Sequence, residues 1–324
     1  MTNAMRVHAY GGPEVLQWET VSVDAPGPGE AKIRHHAVGL NYIDVYHRTG
    51  FYPQPAFPFT PGTEGAGEVL AVGDGVSDLA PGDRVAYAGP IGAYAEERII
   101  AADRLVKLRD SIDYKMGAAM MLQGMTAEYL LNRTFKVGSD TVMLFHAAAG
   151  GVGLIACQWA KHLGATIIGT VSSEEKAALA RASGCTHTIN YTQEDFVARV
   201  KEITGGAGVD VVYDSVGKDT FPESLECLKP LGLWVSFGNA SGAVPPMDVG
   251  MLSKKGSLFV TRPTLATYTA KREDLIASAG AVMDMIEAGV VKISINQSYP
   301  LREAATAHRD LEARKTTGST IFTV

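Results

Sequence analysis

Two hydrophobic rhythms divide the chain. Before about Tyr114, short β-branched runs occur at Ala31–Val38, Gly67–Val72, Arg84–Tyr87 and Glu97–Ile100. Turn signals such as Pro26-Gly27-Pro28-Gly29 and Pro81-Gly82-Asp83 punctuate them. Such runs, bounded by Gly and Pro, predict strands joined by tight turns. This third therefore reads as a mostly antiparallel, barrel-like β region with few helices. Near Gln123 the rhythm changes. Apolar runs at Thr141–Phe145, Thr166–Val171, Thr186–Asn190, Val209–Tyr213, Leu233–Phe237 and Ser257–Thr261 alternate with helical stretches at Val152–Leu163, Glu174–Ser183, Glu194–Thr204 and near Thr220–Leu228. That alternation predicts a parallel sheet with right-handed crossovers. Ser172-Ser173-Glu174-Glu175 reads as a capping box opening one helix, and Gly184 as its stop. Past Pro263, helical patterns at Lys271–Ala288 and Glu303–Arg314 alternate with strands at Lys292–Tyr299 and Ser319–Val324, a tail expected to return to the first domain. The predicted division is 1–124, 125–264 and 265–324.

The segment Val142 to Gly153 carries the chemistry. A strand runs into a tight turn and a helix, with Ala148, Gly150 and Gly153 in the three glycine places of the dinucleotide fingerprint. Small residues let the backbone approach a pyrophosphate, and a helix start offers it free N–H groups and the positive end of the helix dipole. Ala148 departs from the pattern. The fold class is thus α/β, a Rossmann-type doubly wound parallel sheet beside a β-barrel domain. An NAD site places an acid roughly 20 residues beyond the glycines to hold the ribose 2′-hydroxyl. Here Thr170-Val171-Ser172-Ser173 fills that place, with Lys176 one turn later. A hydroxyl, an ammonium and free helix N–H groups suit a 2′-phosphate, so NADPH is the expected cofactor.

Composition narrows the classes. The 35 glycines are dispersed, and the net charge of −6 comes without a basic stripe, so a nucleic-acid partner is not expected. No run of about 18 apolar residues would span a bilayer, and Met1 to Gly12 lacks a signal-peptide core. The three cysteines are far apart in sequence and odd in number, which argues against a disulfide framework or a four-cysteine metal site. Cytoplasm is the expected location.

With these residues in view, the chain resembles, end to end, the zinc-free quinone oxidoreductases of the medium-chain dehydrogenase/reductase superfamily, the branch that includes zeta-crystallin. The resemblance runs through Gly11–Leu16, Asn41–Tyr46, Gly50–Pro53, Pro61–Gly67, Gly82–Val85, Phe145–Lys161, Val212–Gly217, Phe237–Asn239 and Val260–Pro263. It implies a GroES-like catalytic domain built from both chain ends, a central cofactor domain with a cleft beside it, and a homodimer. By matching position it implies NADPH contacts from Asn41, Tyr46, Thr126, Gly150, Gly151, Val152, Ser172, Lys176, Tyr191, Ser215, Phe237 and Arg314. Of these, Lys176, Tyr191 and Arg314 would surround the 2′-phosphate.

Zinc-dependent relatives carry a cysteine where Asn41 stands and a histidine where Thr63 stands, and the Tyr87–Glu97 loop has no cysteine. Neutral Asn and Thr supply neither thiolate nor imidazole, so no metal is expected. Without a metal to stabilise an alkoxide, an electron-poor quinone is a more suitable acceptor than an alcohol is a donor. Tyr46 and Tyr52 are the expected hydrogen-bond donors, with Asn41 fixing cofactor or substrate orientation. Neighbours on an alternating strand, His35 and His36 should face opposite sides and not share a metal. His146 sits at a strand end where turn packing explains it as well as proton transfer. Glu64 is expected to anchor the interdomain structure, with a general-acid role as its alternative, and nothing marks Cys185 as a low-pKa thiol. Three functions remain open: an NADPH-dependent quinone reductase, an NADPH-dependent reductase of enone or enal double bonds, and a non-enzymatic NADPH-binding structural or regulatory protein.

Overall fold

The computed structural model describes residues 1–324. It resolves into two compact units. The first comprises Met1–Met125, Thr269–Glu287 and Ile293–Val324; the second comprises Thr126–Tyr268 and Ala288–Lys292.

The first unit opens with β1 (Thr2–Val7) and β2 (Leu16–Val21), which pair antiparallel. Then come β3 (Glu30–Leu40), helix α1 (Tyr42–Thr49), β4 (Glu64–Val72), β5 (Arg84–Ala88), β6 (Glu97–Ala101) and the short β7 (Val106–Lys107). These strands pair antiparallel, with β3 central between β4 and β6. Alternate residues of β3 point inward: Ala31, Ile33, His35 and Ala37 are buried while Arg34 and His36 are exposed. The two histidines therefore face opposite sides, as a pleated strand requires. Their core includes Met5, Ile33, Val69, Val85, Tyr87, Tyr94 and Leu105. Helix α2 (Tyr114–Tyr129) follows, and the boundary between the units falls within its sequence.

The second unit alternates strand and helix: β8 (Val142–Phe145), α3 (Gly151–His162), β9 (Thr166–Val171), α4 (Glu174–Ala182), β10 (His187–Asn190), α5 (Phe196–Ile203), β11 (Val209–Asp214), α6 (Glu223–Glu226), β12 (Leu228–Ser236), α7 (Gly250–Lys254), β13 (Phe259–Thr261) and α8 (Leu265–Tyr268). All pairings in its sheet are parallel, in the order β10-β9-β8-β11-β12-β13. Strand order thus reverses beside β8, which places the switch point at the C-terminal ends of β8 and β11. The return segment supplies α9 (Arg272–Glu287), β14 (Ile295–Pro300), α10 (Ala304–Glu312) and β15 (Ser319–Thr323), with β15 adding antiparallel to β3.

Several local expectations change. The predicted capping box shifts by one residue. Ser173, not Ser172, is the N-cap of α4, its Oγ accepting the Lys176 N–H at 3.3 Å, so the residue three positions beyond the cap is a lysine rather than a glutamate. The helix predicted near Thr220–Leu228 shrinks to a 3₁₀ turn and the four-residue α6, because β12 starts at Leu228 rather than Leu233. Nor does the tail belong wholly to the first unit. Gln158 on α3 donates to the Lys292 carbonyl (3.1 Å) and accepts the Lys292 N–H (2.9 Å), which stitches Ala288–Lys292 to the second. One pairing in the barrel region, β14 with β15, is parallel.

Candidate active site

In the cofactor unit, β8 ends at Phe145 and the chain turns through Ala147, which takes a left-handed φ of 56°. Gly150 is the N-cap of α3 and brings no side-chain acceptor to the first turn. The opening N–H groups of that helix are therefore free of a side-chain cap, as an anion cradle needs. A Cβ on Gly153 would lie 2.6 Å from the carbonyl oxygens of both Ala147 and Ala148, so only glycine lets the helix pack this closely on the turn. The departure at Ala148 has a partner. Its methyl is fully buried, and a Cβ on Gly169 of β9 would meet it at 2.7 Å. The space that the Ala148 methyl takes is left open by a glycine on the neighbouring strand.

Ser172, Ser173 and Lys176 follow the end of β9, and Tyr191 follows β10, its N–H donating to the Val171 carbonyl at 3.1 Å. Serine hydroxyls, a lysine and a 39% exposed tyrosine thus gather at two adjacent strand ends where no carboxylate ends the strand. Glu174 and Glu175 lie further along, exposed, with Glu174 paired to Arg181. Ser215 follows β11, and Phe237 follows β12 with its ring 5.8 Å from Phe145. Buried Thr126 lies on α2. These donors and small residues fit a dinucleotide carrying a 2′-phosphate.

In the catalytic unit, Asn41 caps α1 and is buried; the Asp44 carboxylate accepts its backbone N–H at 3.0 Å. Tyr46, on the same helix, lies with its ring 5.1 Å from Tyr52 and 5.2 Å from Phe51. Thr63 Oγ1 donates to Asp44 Oδ1 at 3.0 Å, and Tyr94 OH donates to Asp44 Oδ2 at 3.0 Å. Asn41 Nδ2 donates to Glu64 Oε2 at 2.6 Å, and the Leu122 N–H donates to Glu64 Oε1 at 2.8 Å. Burial pushes the Glu64 carboxyl up to about 8, against the pull of those two donors and helped by the Asp44 charge. Burial likewise raises Asp44 to about 7. Glu64 ties β4 to the Asn41 cap of α1 and to Leu122 on α2, the helix in whose sequence the unit boundary falls. Arg314 lies just beyond α10 with a left-handed φ of 59°.

Neither flagged histidine offers catalysis a free nitrogen. His35 bonds the Ala95 carbonyl at 2.6 Å and Tyr87 OH at 2.8 Å, and burial with the Arg98 charge lowers it to about 3. His146 is held between Thr170 Oγ1 and Ser224 Oγ, both at 3.0 Å. No cluster of three or more His, Cys, Asp or Glu side chains is arranged to hold a metal.

Three features escaped the sequence reading. Gln123 Nε2 donates to Asn41 Oδ1 at 3.0 Å; its signal was a lone amide in the apolar run Met120-Met121-Leu122. Asp214 gathers donors from Val216, Gly217, Thr220, Ser224 and Trp234; the stretch Val212–Gly217 carries the family resemblance, but nothing in it marks the aspartate as a hub. Cys157 and Cys185, remote in sequence, lie buried as free thiols with Sγ atoms 3.4 Å apart.

A six-stranded parallel sheet with a fingerprint turn at its switch point, in a chain that also carries a barrel-like unit with buried polar side chains, defines a dinucleotide-dependent oxidoreductase of the medium-chain class. Residues 27–134 match the family described as alcohol dehydrogenase GroES-like domain, and residues 151–275 match zinc-binding dehydrogenase. The chain is 54% identical to a quinone oxidoreductase of Pseudomonas aeruginosa over 99% of both chains. It superposes on the crystal structure of Escherichia coli quinone oxidoreductase complexed with NADPH with a TM-score of 0.98 at 48% identity, covering 99% of this chain and all of that one. It is also 47% identical to a Burkholderia 2-haloacrylate reductase over 99% of both chains. The chain belongs to the quinone oxidoreductase family of the medium-chain dehydrogenase/reductase superfamily.

Proposed function

We propose that the protein is an NADPH:quinone oxidoreductase that passes a hydride to a small quinone without metal assistance. The observation that carries this reading is the buried polar pair at the place of the zinc ligands. The Asn41 amide is held by Glu64, and the Thr63 hydroxyl is spent on Asp44. Neither offers the thiolate or imidazole of a catalytic zinc site. Bound NADPH supplies the hydride. The chain supplies position, through the cradle from Ala148 to Gly153, and hydrogen-bond donors, through Tyr46 and Tyr52.

Ser172, Lys176 and Tyr191 are the 2′-phosphate contacts in the cofactor unit, and Thr126, Ser215 and Phe237 complete its share of the cofactor site. Asn41, Tyr46 and Arg314 are the proposed contributions of the catalytic unit. An NADPH-complexed relative at 48% identity supports the choice of nucleotide. The edge strand β13 exposes Phe259 and Val260 beside an unpaired rim, which supports a homodimer formed through the cofactor units. No helix is long and apolar enough to cross a membrane, and a cytoplasmic site of action is part of this proposal.

The test compares NADPH with NADH against quinones, enones and aldehydes, with and without a chelator. NADPH should be preferred at least tenfold, a difference of about 1.4 kcal/mol, with quinones fastest and the chelator without effect. The 2-haloacrylate reductase relative makes activated double bonds the competing acceptors. A clear enone preference would displace the quinone reading. NADPH binding without turnover on any acceptor would leave the chain a binding protein.

A further inference from the structure

Four buried side chains of the catalytic unit form one directed series of hydrogen bonds. Ser319 Oγ, on β15, donates to Gln123 Oε1 at 2.7 Å. Gln123 Nε2, on α2, donates to Asn41 Oδ1 at 3.0 Å. Asn41 Nδ2 donates to Glu64 Oε2 at 2.6 Å, and Glu64 Oε1 closes the series on the Leu122 N–H. Ser319 Oγ also lies 3.3 Å from the Ala119 carbonyl, a longer alternative for its single proton. All four residues are at most 7% exposed, so water does not compete for these bonds.

An amide can be turned end for end at little steric cost, and only its partners decide which end is which. Here the oxygen of Asn41 is met by a donor and its nitrogen by an acceptor. A primary amide nitrogen carries two hydrogens, and Glu64 takes one. The second takes no part in this series.

We propose that Gln123 is a positioning residue for hydride transfer, fixing the Asn41 amide so that its remaining N–H donates to the acceptor's carbonyl oxygen as that oxygen gains charge. The proposal rests on the quinone reductase reading and adds a specific duty to a residue outside the reacting groups. The donor is needed because the transferred hydride leaves its electron pair on the ring, and the negative charge appears on the carbonyl oxygen until a proton from solvent neutralises it. A donor already aimed at that oxygen stabilises the charge without rearranging during the step. A misaimed amide would present its own oxygen and repel it.

The test is a double-mutant cycle. Gln123→Met keeps a straight side chain of similar length but cannot donate to Asn41. With the holoenzyme and a simple benzoquinone, kcat should fall about tenfold while NADPH affinity, read by fluorescence titration, stays within about twofold of wild type. Asn41→Ala should lower kcat at least as far. The double variant should be no slower than Asn41→Ala alone, because a residue acting only through its neighbour has nothing to lose once the neighbour is gone. If Gln123→Met fails to fold, Ser319→Ala releases the far end of the series and should give a smaller loss with the same non-additivity. Additive losses, or a fall in kcat that follows weakened NADPH binding, would overturn the proposal. Wild-type protein inactive toward quinones would instead overturn the reading beneath it, while normal turnover with an unaffected Gln123→Met would overturn this inference alone.

Discussion

The cofactor unit and the catalytic unit each bury carboxylates, and they treat them differently. Asp214, at the end of β11, is surrounded by two backbone N–H groups, two hydroxyls and the Trp234 indole, all between 2.8 and 3.2 Å. The hub fixes the loop that leads to Ser215 and Gly217 at the switch point. Glu64 accepts the Asn41 amide and the Leu122 N–H, with the Met121 N–H also drawing on it, and burial pushes it up to about 8. The cofactor unit uses a saturated carboxylate as a rigid stitch. In the catalytic unit Glu64 takes a single side-chain donor, the Asn41 amide, and that hydrogen bond orients it. Stability is the first carboxylate's contribution; orientation is the second's.

Replacing the hub breaks the comparison most severely. Asp214→Ala would orphan several buried donors at once and should cost about 3–5 kcal/mol, read by chemical unfolding followed by circular dichroism. A loss no larger than that of Glu64→Gln would mean the two carboxylates are alike. Gly153→Ala comes next. Its methyl would sit 2.6 Å from two carbonyl oxygens, an overpacking cost of about 1–3 kcal/mol, and NADPH affinity should fall with stability in calorimetric titration. Lys176→Ala should leave stability almost unchanged. The NADPH over NADH preference should drop about ten- to hundredfold, the worth of one hydrogen bond to a charged group; an unchanged ratio would remove Lys176 from the 2′-phosphate site.

The smallest effect is one of slope. Glu64 ionises near 4.5 when unfolded and about 8 when folded, so its contribution favours the native state fully below 4.5 and is lost as pH rises to about 8. Asp44 acts in the same direction between 3.8 and about 7. His35 and His308, both lowered to about 3 from 6.5, work oppositely: stability rises as pH climbs from 3 to 6.5. Glu64→Gln should flatten the decline between pH 6.5 and 8, by no more than about 1.4 kcal/mol per pH unit for one group, in melting temperatures taken across that range.

Much of the cofactor unit was legible because its signals are local. Apolar runs, the glycine turn and the missing acid after Val171 all lie within a few residues of what they specify. The catalytic unit was less so. Asn41 and Tyr46 could be named, but Gln123, Ser319 and Glu64 are joined only when β3, β4, α2 and β15 come together. Their sequence separations, 82 residues from Asn41 to Gln123 and 196 from Gln123 to Ser319, leave no short-range trace. The contact of Cys157 with Cys185 was hidden for the same reason. Ser172 and Ser173 illustrate the opposite difficulty. Both fit a helix cap by type, and only the backbone turn decides that Ser173 takes the Lys176 N–H.

The methyl of Ala148 and the bare α-carbon of Gly169 occupy one shared volume between turn and sheet. Either position alone would look free to vary, yet they should change as a pair. Glycine at 148 would clear one side of position 169, but Cys185 Sγ would still lie 2.6 Å from a Cβ there. A chain that enlarged 169 first would jam the turn. The order in which such substitutions could be tolerated is thereby constrained.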